Sequence, residues 1–66
     1  MEKITEKELS GMEESLERER SLARQYALYA RLCADPQLRT KCQELSARHG
    51  GHYQSLLELL GPEVGV

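Results

Sequence analysis

The sequence predicts an all-α protein, an antiparallel two-helix hairpin that dimerises into a four-helix bundle. Three observations carry this reading. Apolar residues recur at spacings of three and four from Leu9 to Cys33 and again from Leu38 to Leu59, the period of a coiled-coil a/d seam. Asp35-Pro36 interrupts the pattern near the middle, pairing a favoured N-cap with a residue suited to the first helical position. The chain has 66 residues with no Trp and no Phe, and one this short is marginal as a monomer and needs a partner, a metal or a disulfide.

The first helix is signalled by ITEKEL at residues 4–9. Thr5 and Glu8 have the spacing of a capping box, and Ile4 and Leu9 that of a hydrophobic staple. Ser10 and Glu13 repeat the box pattern and form a rival start, beside Gly11, which costs about 1 kcal/mol inside a helix. The seam then runs Leu9, Met12, Leu16, Glu19, Ala23, Tyr26, Ala30, Cys33, with Glu19 its one charged member. The residue before a proline is pushed out of the helical region, so the helix is expected over about 6–34 and the turn at 34–35.

The second helix is expected over about 36–60, with seam Leu38, Cys42, Leu45, His49, His52, Leu56, Leu59. Gly61 is a natural C′ residue, Pro62 a natural stop, and 61–66 a loose tail. A turn this short makes the helices antiparallel. Residues whose numbers sum to about 71 then lie level. Glu19 faces His52, Ala23 faces His49 and Tyr26 faces Leu45, with apolar layers above and below. Gly50 and Gly51 fall on the outer face and weaken the helix by about 1 kcal/mol each. A kink and a close approach by another backbone would each account for them.

Leu22, Ala27, Leu32, Leu57 and Leu60 widen the apolar faces beyond a two-helix seam. Each buried Leu is worth about 1.5–3 kcal/mol, so two hairpins are expected to pair about a two-fold axis. Another helical protein in the groove is the alternative partner. The core and dimer set is Leu9, Met12, Leu16, Ala23, Tyr26, Ala30, Cys33, Leu38, Cys42, Leu45, Leu56, Leu59 and Leu60.

Composition excludes several classes. Nine basic and eleven acidic residues are interspersed, for a net charge of −2, so the basic footprint of a nucleic-acid binder is missing. No apolar run approaches the roughly 20 residues of a membrane span. MEKITEKELS lacks the apolar core of a signal peptide, so the expected compartment is the cytoplasm, with reduced cysteines. Cys33 and Cys42 are expected as free thiols packing as small hydrophobes. Glu13, Glu14, Glu17, Arg18 and Arg20 make a solvated face, on which Glu14 can pair with Arg18 and Glu17 with Arg20. Tyr26, Tyr29 and Tyr53 are expected to pack with wet hydroxyls. No nucleophile stands with a base, and no catalytic residue is assigned.

The layer of Glu19, His49 and His52 is the one candidate site. Two imidazoles at i and i+3 with a carboxylate on the facing helix are plausible ligands for zinc or iron. The same layer also reads as a polar register device in which a histidine satisfies the buried carboxylate, without any cofactor. A pH sensor is a third reading.

Residues 16–60 resemble the short ferritin-like helical hairpins, especially the spore coat F-type proteins and more distantly the rubrerythrins. The resemblance rests on E-x-x-x-A-R-x-Y at Glu19, Ala23, Arg24 and Tyr26, D-P-x-L-R at Asp35 to Arg39, and H-Y-x-x-L-L at His52, Tyr53, Leu56 and Leu57. It implies a ferritin-like bundle with a structural, non-enzymatic role. Di-iron members of that group carry a Glu on one helix and Glu-x-x-His on the next. Glu19 and His52 match, but His49 stands where the second Glu belongs. A dimer would then offer two carboxylates and four histidines, not four and two, which points away from oxidase or peroxidase chemistry.

Overall fold

The computed structural model describes residues 4–61. Among them are two helices and no strand: α1, Glu6–Leu32, and α2, Pro36–Leu60. They pack side by side in a body of 48 × 16 × 16 Å. Contacts pair Ala23 with Ser46 and Glu19 with His52, so one index falls as the other rises and the helices are antiparallel. No described helix is long and apolar enough to cross a membrane.

Thr5 starts α1. Its side-chain oxygen accepts from the Glu8 amide at 3.1 Å, while the Thr5 amide donates to Glu8 Oε1 at 2.9 Å. Two amides that helix geometry leaves unpaired are thus satisfied reciprocally. The carboxyl of Glu8 is held below its ordinary range, chiefly by the hydrogen bond from the Thr5 backbone. The rival start at Ser10 lies inside the helix.

The turn departs from the expected geometry. α1 stops at Leu32, two residues before Ala34, and Cys33 is already extended at φ −81° and ψ 127°. Reversing the chain takes a longer link than proline alone would impose. Asp35 is extended as well, at φ −73° and ψ 119°, as both a pre-proline residue and an N-cap require. Its Oδ1 accepts from the amides of Gln37 at 2.8 Å and Leu38 at 3.2 Å. The Arg39 guanidinium closes the turn, donating through Nη2 at 2.9 Å and Nε at 3.2 Å to the Cys33 carbonyl.

α2 runs unbroken through Gly50 and Gly51. A Cβ added to either would meet nothing within 4 Å, so no backbone of the same chain approaches them. Gly61 caps the helix, its amide donating to the Leu57 carbonyl. Pro62 and the rest of the expected tail lie outside the described residues.

One hairpin encloses a thin core. Its buried side chains are Leu16, Ala30, Cys42 and Leu60. Leu9, Met12, Ala23, Tyr26, Cys33, Leu45 and Leu56 are half-buried. Leu38 and Leu59, seam positions by spacing, are 54% and 74% exposed. Leu38 lies in the first turn of α2 at the turn end of the hairpin, where the link to α1 leaves its side chain in water. Of the residues expected to widen the face, Leu60 is buried, Leu22 and Leu57 half-buried, and Ala27 and Leu32 exposed. Both cysteines are free, and the Cys33 thiol donates weakly to the Asp35 carbonyl at 3.6 Å. The expected Glu14–Arg18 and Glu17–Arg20 pairs do not form, and the Lys/Arg–carboxylate pair among the described residues is Lys41–Glu44 at 3.6 Å. Exposed i,i+3 and i,i+4 pairs gain too little to hold two long side chains in place.

Candidate functional site

Glu19, His49 and His52 converge where the register brings the fourth turn of α1 against the middle of α2. Residues three apart on a helix share a face, so both imidazoles project toward one carboxylate. His49 Nδ1 lies 2.6 Å from Glu19 Oε1, and His52 Nδ1 lies 3.4 Å from the same oxygen. The Glu19 and His49 side chains are 22% and 20% exposed, that of His52 53%. The cluster is therefore a half-buried notch open on the His52 side.

The rings continue as a ladder along this flank. The His52 and His49 centroids are 5.6 Å apart at 85°, edge to face. His49 lies nearly parallel to Tyr26, at 5.9 Å and 6°. Tyr26 meets Tyr29 edge to face at 5.9 Å and 84°. Tyr26 lies parallel to the His49 ring, whose Nδ1 faces Glu19. Such ring contacts are worth about 0.5–1.5 kcal/mol beyond their area.

The hydrogen bond to His49 is the main influence holding the Glu19 carboxyl below its ordinary range. Partial burial opposes it. The weaker hydrogen bond to His52 and the charges of both imidazoles act in the same direction as His49. The carboxylate is thus kept ionised in a half-buried place because nitrogen donors face it.

One donor atom from each of the three residues lies within 4.8 Å of the other two. Cys33 and Cys42 belong to the turn end of the hairpin, two helical turns or more from this group. The register reading sets Glu19 opposite His52, whereas the shorter contact is to His49. Spacing alone overlooks Ser46, whose hydroxyl donates to the Ala23 carbonyl at 2.8 Å, and Arg39 at the turn. A serine one residue after seam position Leu45 is the available signal for the first. No buried side-chain nitrogen or oxygen among the described residues lacks a partner.

No protein-family model, curated protein or solved structure matches this chain.

Proposed function

We propose that this protein is a small structural or interaction module, not an enzyme, whose working form is a homodimeric four-helix bundle. The observation that carries the reading is the imbalance between what one hairpin buries and what it leaves in water. Four side chains are buried, while Leu28 and Tyr29 are 49% exposed, Leu38 54%, Leu59 74% and Leu32 75%. Full burial of a Leu is worth about 1.5–3 kcal/mol, so covering this surface is a strong drive to associate. A second copy is the occupant the surface favours, because a two-fold axis lets one apolar face cover its own duplicate.

Two further features support a role in contacts between proteins. The resemblance of residues 16–60 to the coat F-type hairpins points to a structural part. Gly50 and Gly51 leave open backbone on α2, with nothing within 4 Å of a would-be Cβ. Small residues there suit close approach by a neighbouring helix.

A second reading, an adaptor for another helical protein, is favoured by a groove on the other flank. Ala27, Ala30, Ser46 and Ala47 line it, with Arg31 and Arg39 among its walls. Small residues there would admit a helix, and the two guanidinium groups would suit an acidic one.

Light scattering coupled to sizing, at several concentrations, decides between them. The dimer reading expects a mass of two chains at micromolar concentration, reduced to one by Leu59→Glu with Leu32→Lys. A wild-type chain that stays monomeric and fully helical at high concentration would overturn the dimer and favour the adaptor.

A further inference from the structure

We infer that Glu19, His49 and His52 form a mononuclear binding site for a borderline divalent transition ion, zinc in the first place. The inference goes beyond the structural role proposed above and does not need the dimer, since all three donors belong to one chain.

His49 meets the half-buried carboxylate at 2.6 Å, and His52 aims a second ring nitrogen at the same Oε1 from the next turn, at 3.4 Å. One donor atom from each of the three residues lies within 4.8 Å of the other two. Two imidazole nitrogens and one carboxylate oxygen gathered this closely, half-buried and open on one side, are a donor set that a divalent ion can share.

The distances fit. Zinc takes His nitrogen at about 2.0–2.1 Å and carboxylate oxygen at about 2.0–2.2 Å, which sets tetrahedral donors about 3.3 Å apart. The His52–Glu19 separation of 3.4 Å is already there, and His49 must withdraw by roughly 0.7 Å from its hydrogen-bonded place to match that spacing. Coordination through Nδ1 leaves each ring its proton on Nε2. A shift of His49 within its own plane keeps the ring parallel to Tyr26. The fourth position opens toward solvent beside His52, whose side chain is 53% exposed.

The donor set selects the ion. Two imidazoles and a carboxylate suit zinc and iron(II), with zinc bound more tightly at a given site. Calcium and magnesium prefer oxygen ligands. The carboxylate also offsets half the charge of a divalent ion that is only partly hydrated.

The test is titration of the full-length, tag-free chain with zinc, iron(II) and magnesium against a chromophoric chelator. Cobalt(II) absorption serves as the geometric readout, and circular dichroism and light scattering run in parallel. Zinc is expected to bind one ion per chain, ahead of iron(II), with no magnesium bound, and cobalt(II) to give the intense bands of a four-coordinate site. Outer-sphere partners of metal ligands are typically worth 10–100-fold in affinity, so His52→Ala and Glu19→Gln should each weaken zinc by at least about tenfold. The His52 side chain is 53% exposed, and its hydrogen bond and ring contact are to Glu19 and His49, so His52→Ala is expected to stay helical and remains informative if Glu19→Gln does not fold. Zinc affinity weaker than about 100 μM, or unchanged in a folded His52→Ala variant, would overturn the site. A monomeric chain that still binds one zinc would sink the dimer alone.

Discussion

The Ser46 hydroxyl donates a 2.8 Å hydrogen bond to the carbonyl oxygen of Ala23 on the facing helix. It ties a side chain of α2 to the backbone of α1 between the Glu19 cluster and the turn. Rotation or sliding of either helix would break it. A hydrogen bond of this kind contributes about 0.5–1.5 kcal/mol, and in a domain of this size 1 kcal/mol is about 4–8 °C in Tm. Ser46→Ala is expected to lower the melting temperature by several degrees while leaving helicity at low temperature intact. An unchanged Tm would mean the bond does not set the register.

The turn is held by two side chains of different kinds. Asp35→Ala removes the acceptor for the Gln37 and Leu38 amides, and loss of an N-cap costs about 0.5–2 kcal/mol. Arg39→Lys keeps the charge but loses the fork on the Cys33 carbonyl, since an ammonium cannot donate along two fixed parallel directions. At an exposed site that loss should stay under about 1 kcal/mol. Urea midpoints are therefore expected in the order wild type, Arg39→Lys, Asp35→Ala. Reversal would place the main restraint on the guanidinium.

Glu19 should make stability depend on pH in one direction. Its folded carboxyl titrates below the ordinary glutamate value of about 4.3, mainly through the hydrogen bond to His49. Within that window the unfolded chain binds more protons. The contribution of Glu19 is therefore fully present above the ordinary value and is lost as pH falls through the depressed one. Urea denaturation across the acidic range should show a steeper decline for wild type than for Glu19→Gln, which has no such proton to take up. Parallel curves would remove the link between this carboxylate and folding.

Gly50→Ala and Gly51→Ala are expected to stabilise the isolated hairpin by about 0.4–1 kcal/mol each. Both lie inside α2 and have open space where a Cβ would go. The comparison to make is melting temperature against dimer dissociation constant. A rise in the first with a weakening of the second would locate the approach of a second copy at this stretch. A fall in the melting temperature of dilute monomer would contradict the open geometry around both residues.

Several of these features are legible in the sequence because each depends on local chemistry at fixed offsets. Thr5 with Glu8 and Asp35 with Pro36 are capping signals three residues or fewer in span, and the register arithmetic that follows from the turn brings Glu19 to the histidines. What spacing does not give is lateral placement. Numbers that sum to a constant say which residues are level, not which flank they occupy, so the tighter Glu19–His49 contact and the ring ladder to Tyr29 emerge only in three dimensions. Ser46 and Arg39 act through backbone carbonyls, and every residue carries one of those, so no pattern of side chains marks the acceptor. The early end of α1 at Leu32 reflects the length of chain needed to reverse direction, which the pre-proline rule does not contain.

The stacking of Tyr26 on His49 has a practical use. With no tryptophan in the chain, ultraviolet emission comes from three tyrosines alone, and one of them lies flat against the imidazole nearest Glu19. Protonation or ligation of that ring alters the surroundings of a fluorophore the protein already carries. Events in the notch can thus be followed optically on the native chain, with no dye attached and no residue replaced.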